Sequence, residues 1–168
     1  MIRPMTGSTG KGLQLGTGHA AFIQGPVSVV VSARSADLVP DVLRGCGCRV
    51  ARDRRQVTVL AEPARSGAVL DHIRENGMVA VVFSQPSTHR TLQLKGSDAR
   101  IARAGRADLA TVQGHLAAWV DDMRRIGYTE PFARAVRGEP AEIVAITFTP
   151  LAAFEQTPGP AAGQPLPA

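Results

Sequence analysis

The residues best suited to chemistry lie in the stretch STHRTLQLKG, residues 87–96, which follows an apolar run and is predicted to form a β-strand. Alternate side chains of a strand point to the same side, so Thr91, Gln93 and Lys95 share one face and Arg90 lies on the other. A row of hydroxyl, amide and ammonium groups can hold an anion. The same alternation is typical of a solvated strand face, and spacing alone does not decide between the two.

A second candidate for anion binding is the junction between a strand and a helix at Arg65 and Ser66. The first backbone N–H groups of a helix lack partners within the helix and favour a phosphate. Arginine adds a bidentate fork that suits phosphate oxygens. The junction and the polar strand face together could bind a phosphorylated planar cofactor. In the alternative interpretation the two residues only cap the helix, and the residues alone favour neither.

Other kinds of catalytic centre find no support in the sequence. There is no Gly-x-Ser-x-Gly motif, and the four histidines lie far apart without metal-ligand spacing, so no metal site is expected. Asp121 and Asp122 are adjacent on a predicted helix and point in different directions, so they form no acid–base pair. Cys46 and Cys48 are predicted to be buried, reduced thiols.

Composition limits the class of protein. The chain has 168 residues, of which 44% are hydrophobic and 20% charged, as expected for one globular domain. The net charge of +5 permits anionic ligands, but the arginines are scattered and aromatic residues make up only 4%, which argues against nucleic acid as the partner. No apolar run reaches membrane-spanning length and no signal peptide is apparent, so a cytoplasmic protein is expected.

The elements that must position these residues alternate mostly between strands and tight turns. The pattern predicts the order β-β-β-α-β-β-α-α-β, with a bend or bulge in the second strand around Pro40, Gly45 and Gly47. Such hairpins exclude a doubly wound parallel sheet, and a mainly β (α+β) antiparallel barrel with helices packed on it fits better. We expect a flexible N-terminal arm at 1–18, the barrel domain at 19–156 and a Pro/Gly/Ala-rich tail at 157–168.

Three blocks of the sequence resemble the pyridoxamine 5'-phosphate oxidase-like family of FMN-binding split β-barrels. They are EPARSGAVLDHIRENGMVAVVF at 62–83, HRTLQLKG at 89–96 and FEQTPGPAAG at 154–163. The resemblance covers roughly residues 21–163 and implies an antiparallel split β-barrel.

The resemblance also implies which residues would contact the phosphate of FMN. Arg65 and Ser66 match the family's phosphate-contacting turn. Gly67 stands where many members have lysine, so one positive charge is missing at this point. Arg44, Lys95 or an arginine of a partner subunit would have to supply it.

Other residues would surround the flavin ring. Thr91 occupies the position of a flavin-contacting glutamine, and Arg90 and Gln93 are neighbouring candidates. Ser32 and Arg34, on the first strand, are further candidates for lining the site.

The function implied by the resemblance is a homodimeric flavoprotein with its cofactor at the dimer interface. It would act as an FMN-dependent oxidoreductase on a small molecule, although the family's residues for pyridoxal phosphate have no clear counterparts here. An enzyme that uses a deazaflavin in place of FMN is a further variant of this interpretation. The alternative is a module on the same barrel that binds a flavin, a deazaflavin or a haem without turnover.

Overall fold

A computed structural model describes residues 12–166 of the chain. The elements run in the order α1 (Thr17–Ile23), β1 (Ser28–Arg34), β2 (Pro40–Val50), β3 (Val57–Ala61), a 3₁₀ turn (Pro63–Arg65), α2 (Val69–Asn76), β4 (Val79–Ser84), β5 (Thr91–Gly96), β6 (Arg100–Arg103), α3 (Arg106–Arg125), α4 (Glu130–Arg137), β7 (Val144–Phe148) and β8 (Ala152–Glu155).

The strands form one antiparallel sheet in the order β6-β7-β3-β2-β1-β4-β5-β8. Alternation explains how each strand covers the core: on β1, Val29 and Val31 are fully buried, whereas Val30 and Ser32 are half-buried on the outer side. The core lies inside the curved sheet and is built mainly from valine, leucine and isoleucine. The predicted antiparallel barrel with helices packed on it is confirmed.

Of the positions predicted to bend β2, Gly45 and Gly47 flank a bulge, and Pro40 is the first residue of the strand. A Cβ atom on Gly45 would lie 2.9 Å from a methyl group of Val29 on β1, so the close approach of the strands requires glycine here. The bulge also separates the two thiols, since Cys48 faces the barrel core and Cys46 packs beneath α3. Both thiols are buried and free, as predicted.

The helices cover selected parts of the barrel. Helix α3 packs on β2 and α4 through buried side chains such as Val112 and Trp119, whereas Leu109 is exposed. The N-cap residue of α3 is Gly105, which donates its backbone N–H to the Asp108 carboxylate at 2.9 Å. Within residues 12–166, no helix combines the length and apolar character that a membrane crossing needs.

Three features differ from the predicted element order. Helix α1 was not predicted. The stretch 89–103, expected as one bent strand, is interrupted at residues 97–99 and forms β5 and β6, and the stretch 141–156 is likewise interrupted at residues 149–151 and forms β7 and β8. As a result β6 pairs with β7 at one edge of the sheet, and β5 pairs with β8 at the other.

The described parts of the two terminal segments lie against the barrel. Leu13 donates its backbone N–H to Pro150, and Leu15 is buried. At the other end, Pro165 bridges to Phe154 and Leu166 donates its N–H to the carbonyl of Ala153. Residues 1–11 of the expected arm lie outside the described residues.

Candidate functional site

The polar residues predicted on β5 lie on the outer face of the sheet, together with Ser32 of β1. The strand register aligns Ser32 with Ala80, Ala80 with Lys95, and Lys95 with Ala152, so these four residues form one row across four strands. Each is half-buried, and the row lies outside the barrel core.

The neighbouring row on the same face extends one strand further. It runs Arg44, Val30, Val82, Gln93 and Phe154 across β2, β1, β4, β5 and β8. Adjacent strands are about 4.8 Å apart, so the Cα atoms of Arg44 and Gln93 are separated by roughly 14 Å. The predicted flavin-ring candidate Gln93 and the predicted phosphate candidate Arg44 therefore share one surface.

A cavity of about 370 Å³ lies along the first row, and all four residues of that row line it. Ser32, Arg34 and Lys95 supply its polar groups, and exposed apolar side chains such as Leu38 and Leu151 supply much of the remaining wall. An apolar cavity with a few convergent donors is the usual form of a small-molecule site.

The donors of this face differ in how far they are already engaged. The Lys95 ammonium lies 5.0 Å from the centre of the Phe154 ring, and no carboxylate of residues 12–166 lies within ion-pair distance of it. Gln93 accepts a long hydrogen bond of 3.5 Å from the amide of Gln156. Both side chains therefore keep hydrogen-bonding capacity for a ligand.

Thr91 is more fully engaged. Its hydroxyl oxygen lies 2.8 Å from the Ser84 hydroxyl and donates to the carbonyl of His89, while its backbone N–H donates to Thr157. A ligand would have to compete with these bonds to use the Thr91 hydroxyl as a donor.

Arg90 lies on the opposite side from Thr91, Gln93 and Lys95, as its place in the alternation predicted. Its guanidinium stacks over the Phe22 ring of α1 at 4.3 Å, at one end of the barrel. Arg90 is therefore separate from the row that contains Gln93.

The predicted phosphate turn at Arg65 and Ser66 has unexpected geometry. The Ser66 hydroxyl is buried and donates to the carbonyl of Pro63 at 2.7 Å. Ser66 is not the N-cap of α2; that position belongs to Ala68, whose backbone N–H donates at 2.7 Å to the carboxylate of Asp41 on β2. Hydrogen bonds from Ala68 and Val42 lower the pKa of Asp41. A fixed carboxylate thus occupies part of the helix terminus where a phosphate was predicted.

The same contact explains Gly67. Its φ of +51° lies in the left-handed region, and a Cβ atom would lie 2.6 Å from the Asp41 carboxylate. Glycine is therefore required here by this chain's own backbone, and a lysine would not fit without rearrangement.

Three arginines lie together at a second cavity of about 160 Å³, between β2, the turn after β3, and α4. Arg44, Arg65 and Arg137 line it. Glu62 is the acid of this lining, and its carboxylate is 3.0 Å from the Arg65 guanidinium. Arg44 connects this cavity with the polar sheet face described above.

Sequence reasoning did not identify Arg137 as a candidate site residue, because a basic residue in the last turn of a short helix is common. Its burial arises from the packing of α4 on α3. Among residues 12–166, no cluster of histidine, cysteine and acidic side chains could hold a metal ion.

Comparison with known proteins bears on the fold. No family model matches the sequence, and no curated protein matches it either. An F420 reductase structure is 18% identical, covering 83% of this chain and 98% of its own, with a TM-score of 0.54. A tagged form of HupZ from Group A Streptococcus is 15% identical, covering 89% and 99% respectively, with a TM-score of 0.52.

A pyridoxamine 5'-phosphate oxidase-related, FMN binding protein from Nostoc punctiforme PCC 73102 is 14% identical, covering 80% of this chain and 76% of its own, with a TM-score of 0.44. The similarities to the reductase and to HupZ confirm the split-barrel fold that the sequence resemblance implied. Identities this low establish the fold and not the activity or the ligand.

Proposed function

We propose that this chain is an FMN-binding flavoprotein of the pyridoxamine 5'-phosphate oxidase-like type, and that it is an oxidoreductase acting on a small molecule. The observation that carries the proposal is one continuous surface on a split barrel. Gln93 and Lys95 lie at one end of this surface, and the arginine cavity lies at the other, reached through Arg44. This arrangement suits a ligand with a planar ring at one end and a phosphate at the other.

The residues present fit the two ends of FMN. Gln93 and Lys95 have unused hydrogen-bonding capacity that can be directed at the polar edge of a flavin ring. Arg44 and Arg65 offer guanidinium groups to a phosphate. When bound, the flavin supplies hydride or electron transfer, and the protein binds and orients it.

The same face supports the proposal of a homodimer with the cofactor between two copies. Val30 and Val82 are half-buried in the middle of the face, and Val42 at its margin is 59% exposed. An uncovered β-sheet face with these apolar residues suits burial against a second subunit. In a dimer, residues of the partner would complete the walls around a flavin that this chain alone contacts from one side.

FMN titration tests the proposal. The protein should bind FMN with the visible absorbance of a flavin, and Lys95→Met should weaken binding by about tenfold through loss of one charge-assisted hydrogen bond. Arg100→Met is the matched control, since Arg100 is an exposed cation on β6 that does not line the cavity. Saturating FMN without detectable heat or spectral change would refute flavin binding.

A second measurement distinguishes an oxidoreductase from a module that binds the cofactor without turnover. Anaerobic addition of NAD(P)H to the loaded protein should bleach the flavin absorbance if the protein turns over. The alternative of a non-catalytic module that binds flavin, deazaflavin or haem is favoured by Gly67 and Asp41, which remove a cation from the phosphate turn and add an acid. Deazaflavin F420 belongs in the same titration, since one structure with this fold is an F420 reductase.

A further inference from the structure

Arg137 is a buried cation without an acidic partner among residues 12–166. It is 6% exposed, and its contacts are with two ring systems, those of His115 and Trp119. No carboxylate of the described residues forms an ion pair with it. Burying a charge is costly unless an opposite charge or a set of hydrogen bonds compensates for it, so buried arginines are normally paired.

His115 does not supply that compensation. A terminal guanidinium nitrogen of Arg137 lies 2.7 Å from His115 Nδ1, and because arginine only donates, Nδ1 must be the acceptor and the proton must sit on Nε2. Burial and the nearby Arg137 charge lower the pKa of His115 to about 3, so the ring is neutral at neutral pH. Its Nε2–H is buried without a hydrogen-bond partner in the part of the chain described.

Trp119 holds the other side of the guanidinium. The centre of its ring is 5.8 Å from the Arg137 guanidinium carbon, and its indole N–H donates to the carbonyl of Ala133 at 3.1 Å. Two neutral rings therefore position Arg137 without cancelling its charge. Burial lowers the pKa of Arg137 to about 10, which still leaves it protonated at neutral pH.

The cavity that Arg137 lines has an excess of positive charge. Arg44 and Arg65 also line it, and the one acid of the lining, Glu62, is already engaged by Arg65 and by the backbone N–H of Ala141. Three guanidiniums and one carboxylate converge on a space of about 160 Å³. A polar anion entering this space would provide the counter-charge that Arg137 lacks.

We propose that this cavity is a phosphate-binding site in which Arg137 is the buried anchor, and that His115 and Trp119 are its positioning residues. Arg137 then supplies from α4 the positive charge that Gly67 cannot supply from the turn before α2. The inference rests on the proposed function for the identity of the natural ligand, a flavin phosphate. The site itself is defined by the arginines and recognises a phosphate group with or without a flavin.

Inorganic phosphate is the first probe. At constant ionic strength, phosphate in place of chloride should raise the thermal midpoint of the wild-type protein, and Arg137→Met should abolish that rise. Arg134→Met is the matched control on the same helix: Arg134 is exposed and paired with Glu130, and its loss should leave the phosphate effect intact. Arg44→Met changes an exposed residue of the cavity wall and should weaken phosphate binding about tenfold even if Arg137→Met fails to fold.

The ratio of riboflavin to FMN dissociation constants is the second probe. Riboflavin lacks the phosphate, so Arg137→Met should reduce the preference for FMN by about 10- to 100-fold and leave riboflavin affinity unchanged. If the protein binds phosphate through Arg137 or Arg44 but does not bind FMN, the flavoprotein proposal is refuted and the phosphate site is supported. FMN binding with an unchanged ratio in both variants would overturn this site and leave the flavoprotein proposal intact. Equal stabilisation of the wild type by phosphate and chloride would also overturn the site.

Discussion

Buried His115 should make the folded state sensitive to mild acid. Its pKa is held at about 3 in the folded chain, first by burial and second by Arg137, against about 6.5 for an exposed histidine. As the pH falls below 6.5, the unfolded chain takes up a proton at this position and the folded chain does not. The unfolded state is thereby stabilised, so stability is lost progressively between pH 6.5 and pH 3 and is unaffected above that range.

The magnitude follows from proton linkage. A condition of about pH 5 lies roughly 1.5 units below the unfolded pKa and roughly 2 units above the folded pKa, and each unit corresponds to about 1.4 kcal/mol. Acidification from about pH 7.5 to about pH 5 should therefore remove about 2 kcal/mol of unfolding free energy through His115. This is a sizeable fraction of the stability of a typical domain.

Urea unfolding at the two pH values, in chloride buffers without phosphate, measures the effect. Wild type should lose about 2 kcal/mol more than His115→Gln over this interval, because the carboxylates titrate equally in both proteins. His89→Gln removes an exposed histidine instead and should behave as wild type. If His115→Gln loses as much stability as wild type on acidification, His115 is not held neutral by its surroundings and the reasoning fails.

Other substitutions test the fold at single positions by urea unfolding. Gly45→Ala should lower the free energy of unfolding by about 1–3 kcal/mol, because the added methyl group would lie 2.9 Å from two core valines. Gly114→Ala should raise it by about 0.5–1 kcal/mol, because no atom lies within 4 Å of the added methyl group and alanine favours the helix. A change of the same sign in both variants would contradict this reasoning. Arg49→Met should lower the free energy of unfolding by about 1–3 kcal/mol, because the largely buried Asp108 carboxylate loses an ion-pair partner at 2.7 Å. An unchanged free energy of unfolding would show that solvent replaces this partner. Asp122→Ala should cost about 1–3 kcal/mol of unfolding free energy, since this buried carboxylate accepts three hydrogen bonds from the loop after β4 and the substitution leaves their donors without an acceptor. An unchanged free energy of unfolding would refute that role.

The local sequence pattern predicted structural features correctly where the residues that determine them are close together in the sequence. Alternation alone put Thr91, Gln93 and Lys95 on one face, since the strand period of two is a property of the backbone. The glycines of β2 likewise predicted its bulge. Local pattern did not show that the stretch bent at Gly96 is divided into two strands, because β5 pairs with β4 and β8 whereas β6 pairs with β7, and local periodicity contains no information about the partners of a strand.

The candidate site likewise combines features that follow from local sequence with features that depend on long-range strand pairing. The resemblance suggested Ser32 and Arg44 as further residues of the cofactor site, but the surface they share with β5 depends on a register through β1 and β4 that only long-range pairing defines. A serine before a helix was a reasonable cap signal at Ser66, yet Asp41 on β2 accepts the helix N–H instead.

The sequence by itself determined the antiparallel barrel, the polar face of β5 and the absence of the common catalytic motifs, because each follows from the order and spacing of residues along one strand, turn or helix. Only the tertiary structure decided that Arg137 is buried, unpaired by any acid of residues 12–166, and directed with Arg44 and Arg65 at one cavity. Its neighbours come from α3, from β2 and from the turn after β3, and burial and charge balance are properties of that assembled neighbourhood.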